Sequence, residues 1–159
     1  MNDIIKLLQQ NARLSNEELA TMLGITKEEA AKQVADLEAK GVIKGYSAIL
    51  DEELCEKETV TAIIELKVTP RKDSGFDEIA DQIAALEEVD SVFLMAGSYD
   101  LSVTIKGPGV KEISLFVRER LSTIDGVLST TTHFILKKYK EKGIMITEEE
   151  LDERSMVCP

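Results

Sequence analysis

The sequence predicts an α+β chain of two modules: an N-terminal helix-turn-helix, winged-helix-like, followed by a ferredoxin-like βαββαβ α/β sandwich. Three observations predict this. Two helix-start signals of the same design, Ser15 with Glu18 and Thr26 with Glu29, follow one another with Gly24 between them. From Thr59 the apolar period changes, and strand-like and helix-like stretches run in the order β-α-β-β-α-β. The charge is divided unevenly: six basic and seven acidic residues give 1–50 a net −1, leaving −10 of the formal −11 downstream. The expected organisation is a front module at 1–50, a linker at 51–58, the sandwich at 59–142 and an acidic tail at 143–159.

In the front module, "DIIKLLQQNA" repeats Ile4, Ile5, Leu7 and Leu8 at helical spacing. In "LSNEELATMLG" the Ser15–Glu18 spacing is that of a capping box, each side chain satisfying a backbone N–H of the helix start. Leu19, Met22 and Leu23 supply an apolar stripe and Gly24 a left-handed stop. Thr26 and Glu29 open a third helix, with Ala30, Val34 and Leu37 on one face and Gly41 at its end. Two short capped helices joined at "LGIT" make a helix-turn-helix. "VIKGYSAILD" alternates enough to be a returning strand. Paired helices of this kind also occur in bundles that touch no nucleic acid.

The stretch "NARLSNEELATMLGITKEEAAKQVADLEAKGVIKGYSAILD" resembles the N-terminal half of the Lrp/AsnC (feast/famine) transcriptional regulators. The matching elements are Asn11-Ala12-Arg13, Glu18-Leu19-Ala20, Gly24, Leu37-Glu38, Gly41-Val42-Ile43 and Gly45-Tyr46. With the second module, the resemblance covers nearly the whole chain except the last fifteen or so residues. It implies a sequence-specific DNA-binding regulator with double-stranded DNA as partner. Family members usually carry arginine mid-way along the reading helix and basic residues just before the Leu-Glu pair, where this chain has Gln33, Ala35 and Asp36. The best phosphate and guanine partners are therefore missing. Lys27, Lys32 and Lys44 remain for phosphates, and Thr26 with the first helical N–H groups can hold one without side-chain charge. Gln33 either reads a base edge or fills a buried or capping role. The competing reading is a sensor or dimerisation partner of the same architecture with weak or no DNA binding.

In the second module, "TVTAIIELKVT", "VDSVFLMAG", "LSVTIKG" and "GVLSTTTHFILKKYK" read as strands. "GFDEIADQIAAL" and "GVKEISLFVRERLSTI" read as helices, with Phe76, Ile79, Ala80 and Ile83, then Ile113, Val117, Leu121 and Ile124, towards the core. Ala62-Ile63-Ile64 and Val92-Phe93-Leu94-Met95 do not alternate, so both faces of these strands are expected to be dry. Helices cover one face and a second copy of the chain the other, giving a homo-oligomer that is at least a dimer. This module resembles the ligand-sensing half of the same regulators, among which dimers extend to tetramers or octamers. In "GSYD" Gly97 permits a positive φ and Asp100 can cap the turn, which would be role enough. In the regulators it resembles, a Gly-x-x-Asp turn borders the effector pocket between subunits. There, backbone N–H groups take a ligand carboxylate and the acid its ammonium. On that resemblance Gly97, Ser98, Tyr99 and Asp100 line a site for a small-molecule effector, an amino acid or related metabolite. Thr130 and Thr132 either supply a second wall or belong to an exposed β-branched face.

Catalysis has little to stand on. His133 is the single histidine, too few for an ordinary zinc site, and no metal or other cofactor is expected. No Gly-rich phosphate loop, nucleophile elbow or Cys-His pair appears. Sirohaem decarboxylases of similar architecture rely on histidines and Arg-rich motifs not found here. No apolar run suits a membrane span and no signal segment opens the chain. Cys55 and Cys158 lie far apart, which favours a reduced, cytoplasmic protein.

Overall fold

The structure, a computed structural model, describes residues 3–56 and 59–146. The chain divides into two compact units, Met1–Ile49 and Leu50–Pro159. The expected tail therefore falls mostly outside the described residues.

The first unit contains α1 (Asp3–Gln10), α2 (Asn16–Leu23) and α3 (Lys27–Ala39). Both capping boxes form: the Ser15 hydroxyl accepts from Glu18 N and the Thr26 hydroxyl from Glu29 N, both at 3.2 Å. Each glutamate returns to accept the cap residue's own N–H, at 2.7 and 3.0 Å. Gly24 at φ +66° closes α2, with its N–H bonded to Ala20 O. A small core of Leu19, Ala20 and Ala30 is packed by Leu7, Leu8, Leu14, Ile25 and Val34. Met22, expected in the apolar stripe, is exposed instead. The expected strand at 42–51 is likewise absent: 44–51 forms no ladder. Alternation suggested a strand, but a strand also needs a neighbour for its N–H and C=O groups, and none of the described segments pairs with it. Tyr46 instead donates its hydroxyl to Glu38 Oε1 at 2.9 Å, folding the segment back on α3.

The second unit runs β1 (Val60–Val68), α4 (Asp77–Ala84), β2 (Val89–Leu94), β3 (Leu101–Gly107), α5 (Val110–Phe116) and β4 (Val127–Phe134). α5 widens into a π-helical stretch over Val117–Leu121. The sheet is antiparallel in the order β2-β3-β1-β4, the ferredoxin-like arrangement expected. A two-stranded ribbon, β5 (Lys140–Glu141) with β6 (Ile144–Met145), follows. Alternation in β1 turns Ala62, Ile64, Leu66 and Val68 to the helices. They meet Leu101, Val103 and Ile105 of β3, Ile79 and Ile83 of α4, and Ile113, Phe116, Val117 and Leu121 from α5 and its continuation. Burying each of these side chains larger than Ala62 stabilises by roughly 1.5–3 kcal/mol before entropy is counted.

The opposite face differs from the expectation of a second dry surface. Thr61, Ile63, Glu65 and Lys67 lie there, flanked in register by Ser102, Thr104 and Lys106 on one side and Ser129, Thr131 and His133 on the other. Ile63 and Phe93, the latter 58% exposed, stand among hydroxyls and charges. An apolar run within one strand does not reveal the polar strands that register sets beside it. His133 Nε2 lies 3.4 Å from Glu65 Oε1 on this face.

Candidate functional site

The reading face is built from α3. At 100° per residue Glu28, Lys32, Ala35, Asp36 and Ala39 share one flank, and all are exposed. Lys32 is the cation of that flank, between two acids. Lys27 is exposed but its ammonium lies 3.5 Å from Glu17. Gln33 is half-buried, turned from the centre of the flank towards the core. Lys44 is exposed and reaches back over Gly41, whose φ is +66°. Thr26 is committed to the cap: its hydroxyl and backbone N–H both lie within 3.3 Å of Glu29 Oε2. A carboxylate thus already sits where a phosphate would meet the helix start. At the preceding helix, the backbone N–H and then the hydroxyl of Ser15 hold the Glu18 carboxyl below the usual range. Burial, then the Glu38 carboxylate, push the Tyr46 phenol upward.

In the second unit the connection 95–100 joins β2 to β3 and is closed by Met95 N donating to Asp100 O at 2.8 Å. Asp100 is tied to β1 twice: its N–H donates to Leu66 O, and its Oδ2 accepts from Val68 N, both at 2.9 Å. The capping role expected of Asp100 is therefore filled across strands rather than within its own turn. Gly97 does not use the positive φ it permits, and a Cβ there would meet open space. Gly97 and Ser98 are exposed, and Tyr99 and Asp100 half-buried. Register pairs Thr130 with Leu66 and Thr132 with Ile64, on the helix-covered side of the sheet, while Thr131 pairs with Glu65 on the open side. Thr130 and Asp100 thus meet at one end of the sheet through Leu66, and Thr132 lies one step farther along β4.

At the opposite end of β1 lie two cavities of about 440 and 490 Å³, sharing Thr61, Ile135 and Lys138. Glu52, in a short 3₁₀ turn (Glu52–Leu54), receives Lys106 on one carboxylate oxygen at 3.2 Å and Lys138 on the other at 3.0 Å. Burial opposes the charge on both partners of the tighter pair. The contacts nonetheless hold the Glu52 carboxyl below its usual range and the Lys138 ammonium above its own. Sequence reasoning missed this cluster. Its signal was the basic run "LKKYKEKG" in a chain of net charge −11.

A capped helix-turn-helix joined to a ferredoxin-like sandwich defines a class: a DNA-binding module carried with a ligand-binding one. Residues 2–44 match the winged helix-turn-helix DNA-binding family, and residues 61–145 match the Lrp/AsnC ligand binding domain. The chain is 45% identical over 158 residues to the uncharacterized HTH-type transcriptional regulator YugG of Bacillus subtilis (strain 168), covering 99% of this chain and 95% of that one. It is 30% identical to the HTH-type transcriptional regulator FL11 of Pyrococcus horikoshii, over 87% of this chain and 88% of the relative. A Neisseria meningitidis transcriptional regulator solved as an L-Met complex superposes with a TM-score of 0.69 at 27% identity, over 87% of this chain and 88% of that one. This chain belongs to the Lrp/AsnC family of transcriptional regulators, with the DNA-binding module in front and the ligand-binding domain behind. Among the described residues no helix is long and apolar enough to cross a membrane.

Proposed function

We propose that this regulator acts in the cytoplasm as a homo-oligomer, a dimer or a larger even assembly, without catalysing a reaction. It holds DNA weakly through each reading helix and responds to a small amino acid at the 95–100 turn. The observation that carries the DNA part is the doubly capped helix-turn-helix, and its weakness follows from the exposed α3 flank, with Lys32 between Glu28 and Asp36. With few cations, each subunit neutralises few phosphates, and affinity comes from linking several subunits on one DNA. Lys27, Lys32 and Lys44 serve the backbone, Thr26 orders the helix start, and Gln33 contributes to base preference.

The effector reading rests on Asp100. One carboxylate oxygen is engaged by Val68 N, which fixes the group's position, and the other is left for a ligand ammonium. Gly97 and Ser98 are exposed residues whose backbone N–H groups suit a ligand carboxylate, with Tyr99 beside them. Thr130 and Thr132 lie on β4, beyond β1 from the turn and on the helix side of the sheet, so their share is smaller. The L-Met bound by the meningococcal relative makes that amino acid the first probe. Phe93, exposed on a mostly polar sheet face, marks the surface a second copy covers. The test is a thermal-shift panel of amino acids. A saturable rise in melting temperature supports the reading, and a full panel with no shift leaves the turn only its structural role. The acidic α3 flank also favours the alternative, a sensor whose helix-turn-helix no longer reads DNA, and the salt titration described in the Discussion separates the two.

A further inference from the structure

Near the middle of the open sheet face, His133 of β4 and Glu65 of β1 are titratable neighbours with no part in the reading helix or the 95–100 turn. His133 Nε2 lies 3.4 Å from Glu65 Oε1, and the two side chains are 54% and 33% exposed in the single chain. Uncharged residues surround them: register sets Ser102 and Thr131 on either side of Glu65, and Ile63 beside His133. The other charges of this face are committed or displaced. Lys106 is held by Glu52 and Asp90, and Lys138 by Glu52 and Glu141. Lys140 and Lys142 of the ribbon line the cavity at the Thr61 end, beside Glu141. Lys67, two residues along β1 on the same face, is exposed and forms no ion pair among the described residues. Helices α4 and α5 pack on the other face. His133 is therefore the group whose charge decides whether Glu65 is neutralised.

In water such a pair is worth little, because solvent screens it. Covering the face with a second copy changes that. Protonated His133 and Glu65 then make a net-neutral pair, whereas a neutral imidazole leaves the Glu65 charge out of water and uncompensated, which is costly. Histidine is the side chain that ordinarily changes charge between about pH 5 and 8, and this chain has one. We infer that assembly through the open sheet face is proton-linked: each copy takes up a proton at His133 as the face is covered, so the subunits hold more tightly in mild acid and loosen as pH rises. This rests on the proposed covering of the face by a second copy, and adds the signal that regulates that contact. The sign follows from linkage. A histidine that gains a carboxylate partner on assembly keeps its proton to higher pH there, so the stabilisation is full in mild acid and lost as the imidazole deprotonates. Because DNA affinity comes from linking several subunits, the same proton tunes the hold on DNA.

The experiment is sedimentation velocity of the full chain over a concentration series at about pH 6 and about pH 8, at matched ionic strength. The dissociation constant of wild type should be at least about ten-fold larger at the higher pH. His133→Gln should lose that dependence and keep the weaker constant at both. Glu65→Gln should reverse it, because a protonated His133 is then covered without a carboxylate beside it. Proton NMR of the single histidine gives an independent readout: its titration midpoint should move upward as wild type is concentrated from monomer to assembly. A wild type that assembles equally at both pH values, or a midpoint independent of concentration in an assembling sample, overturns the proton linkage and leaves the sheet-face contact standing. Full pH dependence retained in His133→Gln overturns it as well. A wild type that is monomeric throughout removes the contact and the linkage together.

Discussion

Asp100 is the residue on which fold and effector site depend together, and two substitutions separate its roles. Its Oδ2 accepts from the N–H of Val68, which is 3% exposed at the end of β1. Asp100→Ala leaves that buried donor without a partner, at a cost of about 1–3 kcal/mol. For a unit of this size each kcal/mol corresponds to a fall in melting temperature of roughly 3–6 °C. Asp100→Ala should therefore melt lower by about 3–18 °C. Asp100→Asn keeps a carbonyl oxygen for Val68 and should cost much less, but it cannot neutralise an ammonium. A ligand at a hundred times its dissociation constant stabilises wild type by about 2.7 kcal/mol. That stabilisation should vanish in Asp100→Asn while the unliganded melting temperature stays near wild type. Differential scanning calorimetry, with and without the amino acid that shifts wild type, reads both quantities. Two results would refute the reasoning: Asp100→Ala as stable as wild type, or Asp100→Asn with the full ligand shift.

Three further outcomes follow from the geometry. Glu52 has a depressed carboxyl, so its ion pairs add stability above the ordinary value of 4.5 that is lost as pH falls through the lower folded value. Lys138, raised above 10.5, keeps its share until pH climbs past that value. The melting difference between wild type and Glu52→Gln should hence be flat from about pH 5 to 9 and close below pH 4; a constant gap down to pH 3 would contradict the network. Phe93→Lys, at an exposed position, should leave the monomer's fold intact and shift light scattering at micromolar concentration towards monomer, with Ile63→Lys acting alike; a wild type that is itself monomeric would dismiss the sheet-face interface. Gly126 has φ +95°, and a Cβ there would come 2.8 Å from Ile79 Cδ1, so Gly126→Ala should cost about 1–3 kcal/mol in chemical denaturation.

How much was legible in the sequence tracks how local each signal is. The two capping boxes and the Gly24 stop came out as read, because a cap involves residues three apart and little else. The βαββαβ order was also legible, since each change of apolar period marks an element. The segment 42–51 failed because a strand is defined by a partner that alternation does not reveal. The side of the sheet on which Thr130 and Thr132 fall depends on register with β1, and that register slips between Lys67 and Val68. The meeting of Glu52, Lys106 and Lys138 joins three distant stretches, so the basic run after β4 could hint at a site without naming its partners. Asp100 was legible as a turn cap, but its bond to Val68 belongs to the tertiary fold.

The proposed function stands or falls with α3, which, acid-bearing as it is, must still read DNA. The direct measurement is binding to the DNA upstream of the protein's own coding region, titrated from 50 to 200 mM salt, for wild type and Asp36→Arg. Each phosphate neutralised adds about 0.9 to the slope of log affinity against log salt. One new contact on each of two reading helices should steepen that slope by about 1.8, so Asp36→Arg should lose about 12-fold more affinity than wild type across the range. Wild type should bind with a shallow slope, and Asp36→Arg should bind more tightly and more steeply. Wild type that does not bind at 50 mM salt, together with an Asp36→Arg variant that does not restore binding, would contradict the proposed function.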